Sequence, residues 1–213
     1  MGLKIGFCGP NPELNDRLAR HVKDLIGNEV VDVIMLPNPY QEVMEIVRNE
    51  NFQNIDIDWV NLWIATYRRM VEVGAREGDL VLSTTCGLDQ VVIQAAYLQS
   101  QVERGSHELL IADATGQTRT SAEMALLNRS GSVLQVLLNQ AEEEMAEYWD
   151  FVYAVLPVAL GVASTPDAIL VQYEDFLTSV PVFSMIDRLP DNEEAAQDAL
   201  SQEATKWKEK LKA

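Results

Sequence analysis

The chain alternates short apolar runs with segments of helical period, and this alternation restricts the fold more than any other feature. Leu3, Ile5 and Phe7 form the first run, Gly9 breaks it, and Leu14, Leu18, Val22 and Leu25 follow at helical spacing. Further runs at 30–36, 80–85, 151–156 and 180–186 read as strands, the last with Pro181 suited to an edge or a strand start. Helical patterns cover about 41–48, 56–76, 87 to at least 98, 132–148, 167–178 and 192–212. Strands without clean alternation, separated by helices, describe a parallel sheet buried on both faces. The expected fold is a single-domain three-layer α/β/α arrangement with a mostly parallel five-stranded sheet. A length of 213 residues suits one core.

Two segments need separate treatment. In the helix over 56–76, Trp59, Leu62, Trp63, Tyr67, Met70 and Val71 make one apolar face, which predicts a core-facing side. One of Arg68 and Arg69 should then point outward and the other toward the cleft side. Residues 104–131, with Gly105, Gly116 and Gly131, read as a flap or lid over the domain.

Thirty-three acidic residues against 16 basic ones leave a net charge of −17. Nucleic-acid binding through the phosphate backbone needs clustered Lys and Arg, so that class is not expected. No apolar run nears the roughly 20 residues that span a bilayer, and the N-terminus lacks signal-peptide character. Cys8 and Cys86 make no disulfide framework, and His21 and His107 lack metal-type spacing. Ser83, Thr84, Cys86 and Ser184 have no evident base for nucleophilic catalysis. The expectation is a cytoplasmic protein with no metal site and no membrane partner.

In a parallel α/β sheet a ligand site lies at the carboxyl ends of the strands. Here those ends supply Cys8 and Gly9, residues 36–38, residues 84–87, Pro157, and Asp187 with Arg188. The turn after the first strand holds the frame of a GxxxxGK[ST] phosphate loop. Laid on it from Gly9, the second glycine falls on Leu14, the lysine on Asn15 and the hydroxyl on Asp16. Leu14 disfavours positive φ, Asn15 carries no charge, and Pro10 and Pro12 remove two backbone donors. Asp16 sets a carboxylate against an approaching triphosphate, a repulsion of about 4 kcal/mol at 4 Å and an effective dielectric near 20.

The same residues suit an ordinary helix start. Asn11 is a good N-cap, Pro12 fits the first helical position, Glu13 complements the dipole, and Asp16 is placed to pair with Arg20. An anion site served by Lys4, Arg17 or Arg20 stays open as the second reading.

With this order of elements, the chain resembles the P-loop nucleoside and nucleotide kinases, including small kinase-like ATPases of bacteriophages. The segments 4–10, 72–82, 148–152 and 180–187 carry the resemblance. In those kinases the third strand runs into Asp-Arg and then Leu-Asp. Leu88 and Asp89 match the second pair, whereas Thr84 and Thr85 stand where the acid and arginine would be. A lid arginine is implied too, with Arg119 and Arg129 as candidates.

The resemblance therefore implies a kinase-like protein that has lost phosphoryl transfer, with no catalytic residues and no cofactor. It would act through a protein partner or self-association, as a phage accessory or structural protein. The alternative is a nucleoside or nucleotide kinase, or NTPase, with an atypical loop that uses ATP and Mg²⁺. Any retained nucleotide site would comprise Gly9, Pro10, Asn11, Asn15, Asp16, Thr84 and Thr85. A small-molecule binder using the same cleft is a third reading.

Overall fold

The structure is a computed structural model that describes residues 2–49, 56–75, 79–115, 121–156 and 167–212. Among these residues, β1 (Leu3–Cys8), β2 (Val33–Met35), β3 (Leu80–Ser83), β4 (Phe151–Val155) and β5 (Asp187–Leu189) form one sheet in the order β2-β3-β1-β4-β5. Every pairing is parallel, with Ile5 beside Leu82 on one side of β1 and beside Phe151 on the other. Strands β2 and β3 lie on one side of β1 and β4 and β5 on the other, so the switch in order falls at the carboxyl end of β1.

Strand alternation assigns the two faces. Leu3, Ile5 and Phe7 point to one face, where α1 (Pro12–Ile26) and α7 (Glu193–Leu211) cover them through Leu18, Val22, Leu200 and Trp207. Trp207 is fully buried, and its indole N–H donates to the Tyr153 hydroxyl at 3.2 Å. Cys8, Val81 and Val152 point to the other face, against α4 (Gly87–Thr115), α5 (Ser121–Glu147) and α6 (Asp167–Ser179). This is the three-layer α/β/α fold expected from the sequence. α2 (Pro39–Asn49) and α3 (Ile57–Gly74) complete the second layer, α3 packing on α4 and α5.

Three local expectations are corrected. Residues 181–185 form a 3₁₀ turn instead of the fifth strand, which is displaced to Asp187–Leu189. Pro181 opens that turn, Phe183 N–H returns to the Val180 carbonyl, and the Phe183 ring is buried. The second strand is shorter than its β-branched run. Val31 is almost fully exposed, and the N–H groups of Val31 and Asp32 are taken by the Asp79 carboxylate.

The third correction concerns α3, whose apolar face is only partly core-facing: Leu62, Trp63, Tyr67 and Val71 pack on core clusters, but polar residues are buried more deeply. Asp58, Asn61, Arg68 and Glu72 are buried with Ile64 and Ala65, while Trp59 and Met70 stand in solvent. Arg68 is buried, and Arg69, a quarter exposed, is held by Glu72 at 2.9 Å. Residues 104–115 and 121–131 continue α4 and α5 as helix; residues 116–120, Arg119 among them, lie outside the described residues. Pro157 and Arg76 lie outside them as well.

Candidate functional site

Gly9 ends β1 with φ at +136°, a conformation that L side chains rarely adopt. A Cβ there would sit 2.4 Å from the Val155 carbonyl oxygen, so the neighbouring strand end also requires glycine. α1 then starts as its local sequence dictates. The Asn11 side chain accepts from Leu14 N–H at 3.0 Å, Pro12 occupies the first turn, and Arg20 Nε meets Asp16 Oδ2 at 2.8 Å.

The turn after β1 is closed by its own side chains and carbonyls. Asn15 is 1% exposed, and its amide nitrogen donates to the Gly9 carbonyl at 3.4 Å and the Thr84 carbonyl at 3.2 Å. Gly9 N–H donates to Asp89, Leu14 N–H to the Asn11 side chain and Asn15 N–H to the Asn11 carbonyl. Pro10 and Pro12 have no N–H, so only Asn11 and Glu13 retain donors that could turn to an anion. The cations named for the second reading are engaged. Lys4 Nζ lies 4.7 Å from the Tyr148 ring centroid, Arg17 pairs with Glu193 at 2.9 Å, and Arg20 holds Asp16. These residues do not fit a triphosphate.

A cavity of about 240 Å³ opens at the carboxyl ends of β1 and β3. Gly9, Pro10, Thr84 and Thr85 line it together with Tyr40, Asp89 and Tyr173. Neither Asn11, an exposed helix cap, nor Asn15, a buried brace, lines it. Asp16 is placed elsewhere, in an outer depression of about 700 Å³ that it shares with Glu13, Arg17 and Arg20. The sequence residues thus come together in part: Asp16 lines only the outer depression, which adjoins the cavity through Pro12, Asn38 and Thr84.

Asp89 organises the cavity floor. One carboxylate oxygen accepts from Gly9 N–H at 3.0 Å and from the Tyr173 hydroxyl, and the other accepts from Cys86 N–H at 2.8 Å. Complete burial nevertheless outweighs these bonds and pushes its pKa up to about 6. Burial likewise holds the Tyr40 and Tyr173 hydroxyls well above their usual range. The Thr85 hydroxyl is buried with no hydrogen-bond partner. Burial, then the adjacent Cys8 thiol, raises Cys86 well above an ordinary thiol, so neither is suited to nucleophilic attack.

A buried charge cluster lies behind Tyr40. The Tyr40 hydroxyl accepts from Gln90 at 3.0 Å, and Gln90 in turn accepts from Arg68 Nε at 3.1 Å. Arg68 is paired with both Glu72 and Glu144. Glu144 also accepts from Gly87 N–H at 3.2 Å and from the Trp149 indole. A Cβ at Gly87 would lie 2.6 Å from this carboxylate, so glycine admits the close approach of α5. Burial pushes Glu72 up to about 7 against the pull of Arg68. Arg129 is bound to Asp56 at 2.7 Å and Asp58 at 2.9 Å and does not line the cavity.

Sequence reasoning found Asp89 only as half of a matching pair; Tyr40, Tyr173 and Gln90 gave no signal of their own, and Glu144, which in the acidic run 142–144 reads as part of a solvated helix face, is fully buried. Among the described residues, no group of three or more His, Cys, Asp or Glu side chains is placed to hold a metal ion, and no helix is long and apolar enough to cross a membrane. No protein-family model matches the chain, and comparison with curated proteins finds no relative.

Proposed function

We propose that this protein is a kinase-like α/β domain that transfers no phosphoryl group and works by binding a protein partner, in the manner of a phage accessory or structural protein. One observation carries the reading: the buried Asn15 amide, at the position that the motif frame gives to the lysine of a phosphate loop, is tied to the Gly9 and Thr84 carbonyls. A triphosphate entering the loop would have to expel a buried, twice-bonded carboxamide and approach carbonyl oxygens where a phosphate loop offers N–H donors. Thr84 and Thr85 supply no carboxylate for a metal or a substrate hydroxyl, and a threonine hydroxyl is a poor base near pH 7.

Thermal-shift titration with ATP, GTP and deoxynucleoside triphosphates, each with Mg²⁺, tests this. The expected result is an unchanged melting temperature throughout. A ligand at 100 times its Kd would add about 2.7 kcal/mol, so saturable stabilisation by any nucleotide would overturn the reading.

A further inference from the structure

Asp89 is the one charged side chain among the described residues that line the cavity at the carboxyl ends of β1 and β3, and none of those residues forms an ion pair with it. Its hydrogen bonds come from neutral donors: Gly9 N–H and the Tyr173 hydroxyl on one oxygen, Cys86 N–H on the other. These fill three of the roughly four acceptor sites of a carboxylate and leave one on Oδ2. The nearby cations are committed elsewhere. Arg68 attracts Asp89 through space but is paired with Glu72 and Glu144, and Arg69 is held by Glu72. Two guanidinium groups thus face two carboxylates behind Tyr40, and Asp89 remains a buried acid without a counter-charge. Burial pushes it up to about 6, the response of a carboxylate so placed.

We propose that this cavity binds a small ring-bearing primary ammonium, with Asp89 as its counter-ion. Such a site stands apart from the protein-partner reading above, and neither depends on the other. Charge selects the sign of the ligand. No Lys or Arg among the described residues lines the cavity, so an anion would meet an acid with nothing to offset it. An ammonium brings three N–H donors and no acceptor. Asp89 has its remaining acceptor site, the Tyr173 oxygen gives its proton to Asp89 and is open to accept, and the Thr85 hydroxyl is buried with no partner. The walls set the rest of the ligand. Pro10, Pro12, Ile93 and Ile169 are apolar, and the Tyr40 and Tyr173 rings add faces that attract a cation. An apolar cavity of about 150 Å³ holds benzene, so one of about 240 Å³ accommodates a single ring with a short aminoalkyl arm. A neutral ring would suit the walls and leave Asp89 uncompensated.

The titratable groups that face Asp89 are Tyr173 of α6, Tyr40 of α2, Cys8 of β1 and Cys86 just ahead of α4, with Arg68 and Glu72 of α3 and Glu144 of α5 farther in. Both phenols and both thiols are held above their ordinary values and stay neutral from about pH 5 to 8. Asp89 is therefore the cavity group that changes charge in this range. Its protonation removes the counter-charge, so ammonium affinity should fall as pH drops through 6, approaching about tenfold per pH unit.

Isothermal titration calorimetry of the full chain with benzylamine, benzyl alcohol and benzoate tests the proposal, because the three probes share a ring and differ in charge. At about pH 7.5 benzylamine should bind saturably and at least about ten times more tightly than benzyl alcohol, as a charge-assisted hydrogen bond warrants, and benzoate should not bind. Between about pH 7.5 and 5 the amine should weaken while the alcohol stays constant. Asp89→Asn should erase the preference for amine over alcohol. Ile169→Trp, which fills the cavity from α6 and leaves Asp89 in place, should abolish binding of both. Circular dichroism establishes that each variant is folded, and the pH series on wild type carries the same question if Asp89→Asn is not. Absence of saturable benzylamine binding, equal affinity for amine and alcohol, or an amine affinity flat in pH would overturn the proposal. Unchanged amine binding by folded Ile169→Trp would overturn it too, assigning the amine to the acidic surface. None of these outcomes bears on whether a nucleotide shifts the melting temperature.

Discussion

At position 15 a carboxamide donates to the protein's own carbonyls, where a phosphate loop would extend a lysine to its ligand. Asn15→Leu removes both bonds and leaves the Gly9 and Thr84 carbonyls buried without that donor. A loss of about 1–3 kcal/mol is expected in urea denaturation. Gly9→Ala meets both a positive φ and the Val155 oxygen 2.4 Å from the new carbon, and should cost at least about 2 kcal/mol in the same measurement. Asp89 links stability to pH. Its folded value of about 6 exceeds the ordinary 3.8, so the native state holds the proton more tightly than the unfolded chain. That contribution is complete below about pH 4 and is lost as pH rises through 6, amounting to about 3 kcal/mol by pH 7. Wild type should therefore lose stability relative to Asp89→Asn between pH 4 and 7. A flat difference across that range would contradict the assignment.

Among the elements, α3 separates what a pattern reports from what packing decides. Its periodicity correctly announced a helix with an apolar face, yet that face only flanks the core, with Trp59 and Met70 left in solvent, because Arg68, Asp58 and Asn61 found buried partners on α4 and α5. Arg68→Ala leaves Glu72 and Glu144 buried without their shared cation and should destabilise by about 3–5 kcal/mol. Trp59→Ser, on the opposite side of the same helix, should change stability by less than about 1 kcal/mol. Denaturation midpoints of the two variants check this reversal of the usual order, in which a tryptophan outweighs a charged residue. The displaced fifth strand has a similar origin. Its β-branched run is compatible with either state, and the pairing of Tyr153–Val155 with Asp187–Leu189 selects the later residues.

For the whole molecule, an excess of 17 negative charges opposes the compact state by self-repulsion. Raising ionic strength from low salt to about 0.15 M shortens the Debye length to about 8 Å and should raise the melting temperature. A melting temperature that falls over this range would show that the surface pairs, such as Arg17 with Glu193 and Lys208 with Glu29, outweigh the repulsion. At this scale the sequence was most legible. The alternation of strands and helices was enough to anticipate a parallel sheet with helices on both faces, since each apolar strand requires cover on two sides.

The sequence by itself determined the layers and the start of α1, where Asn11, Pro12, Glu13, Asp16 and Arg20 act within one or two turns of each other. Interactions of that range can be read along the chain. Only the tertiary structure decided that Asn15 reaches Thr84, that Asp89 holds Gly9 and Tyr173, and that α3 buries its polar side against α4 and α5. The bonds from Asn15 to Thr84 and from Asp89 to Gly9 and Tyr173 join residues 69 to 84 positions apart, and α3 meets α4 across 36 positions and α5 across 71. A buried polar group goes where its partners are, and those partners become neighbours only when the sheet brings the carboxyl ends of β1 and β3 together.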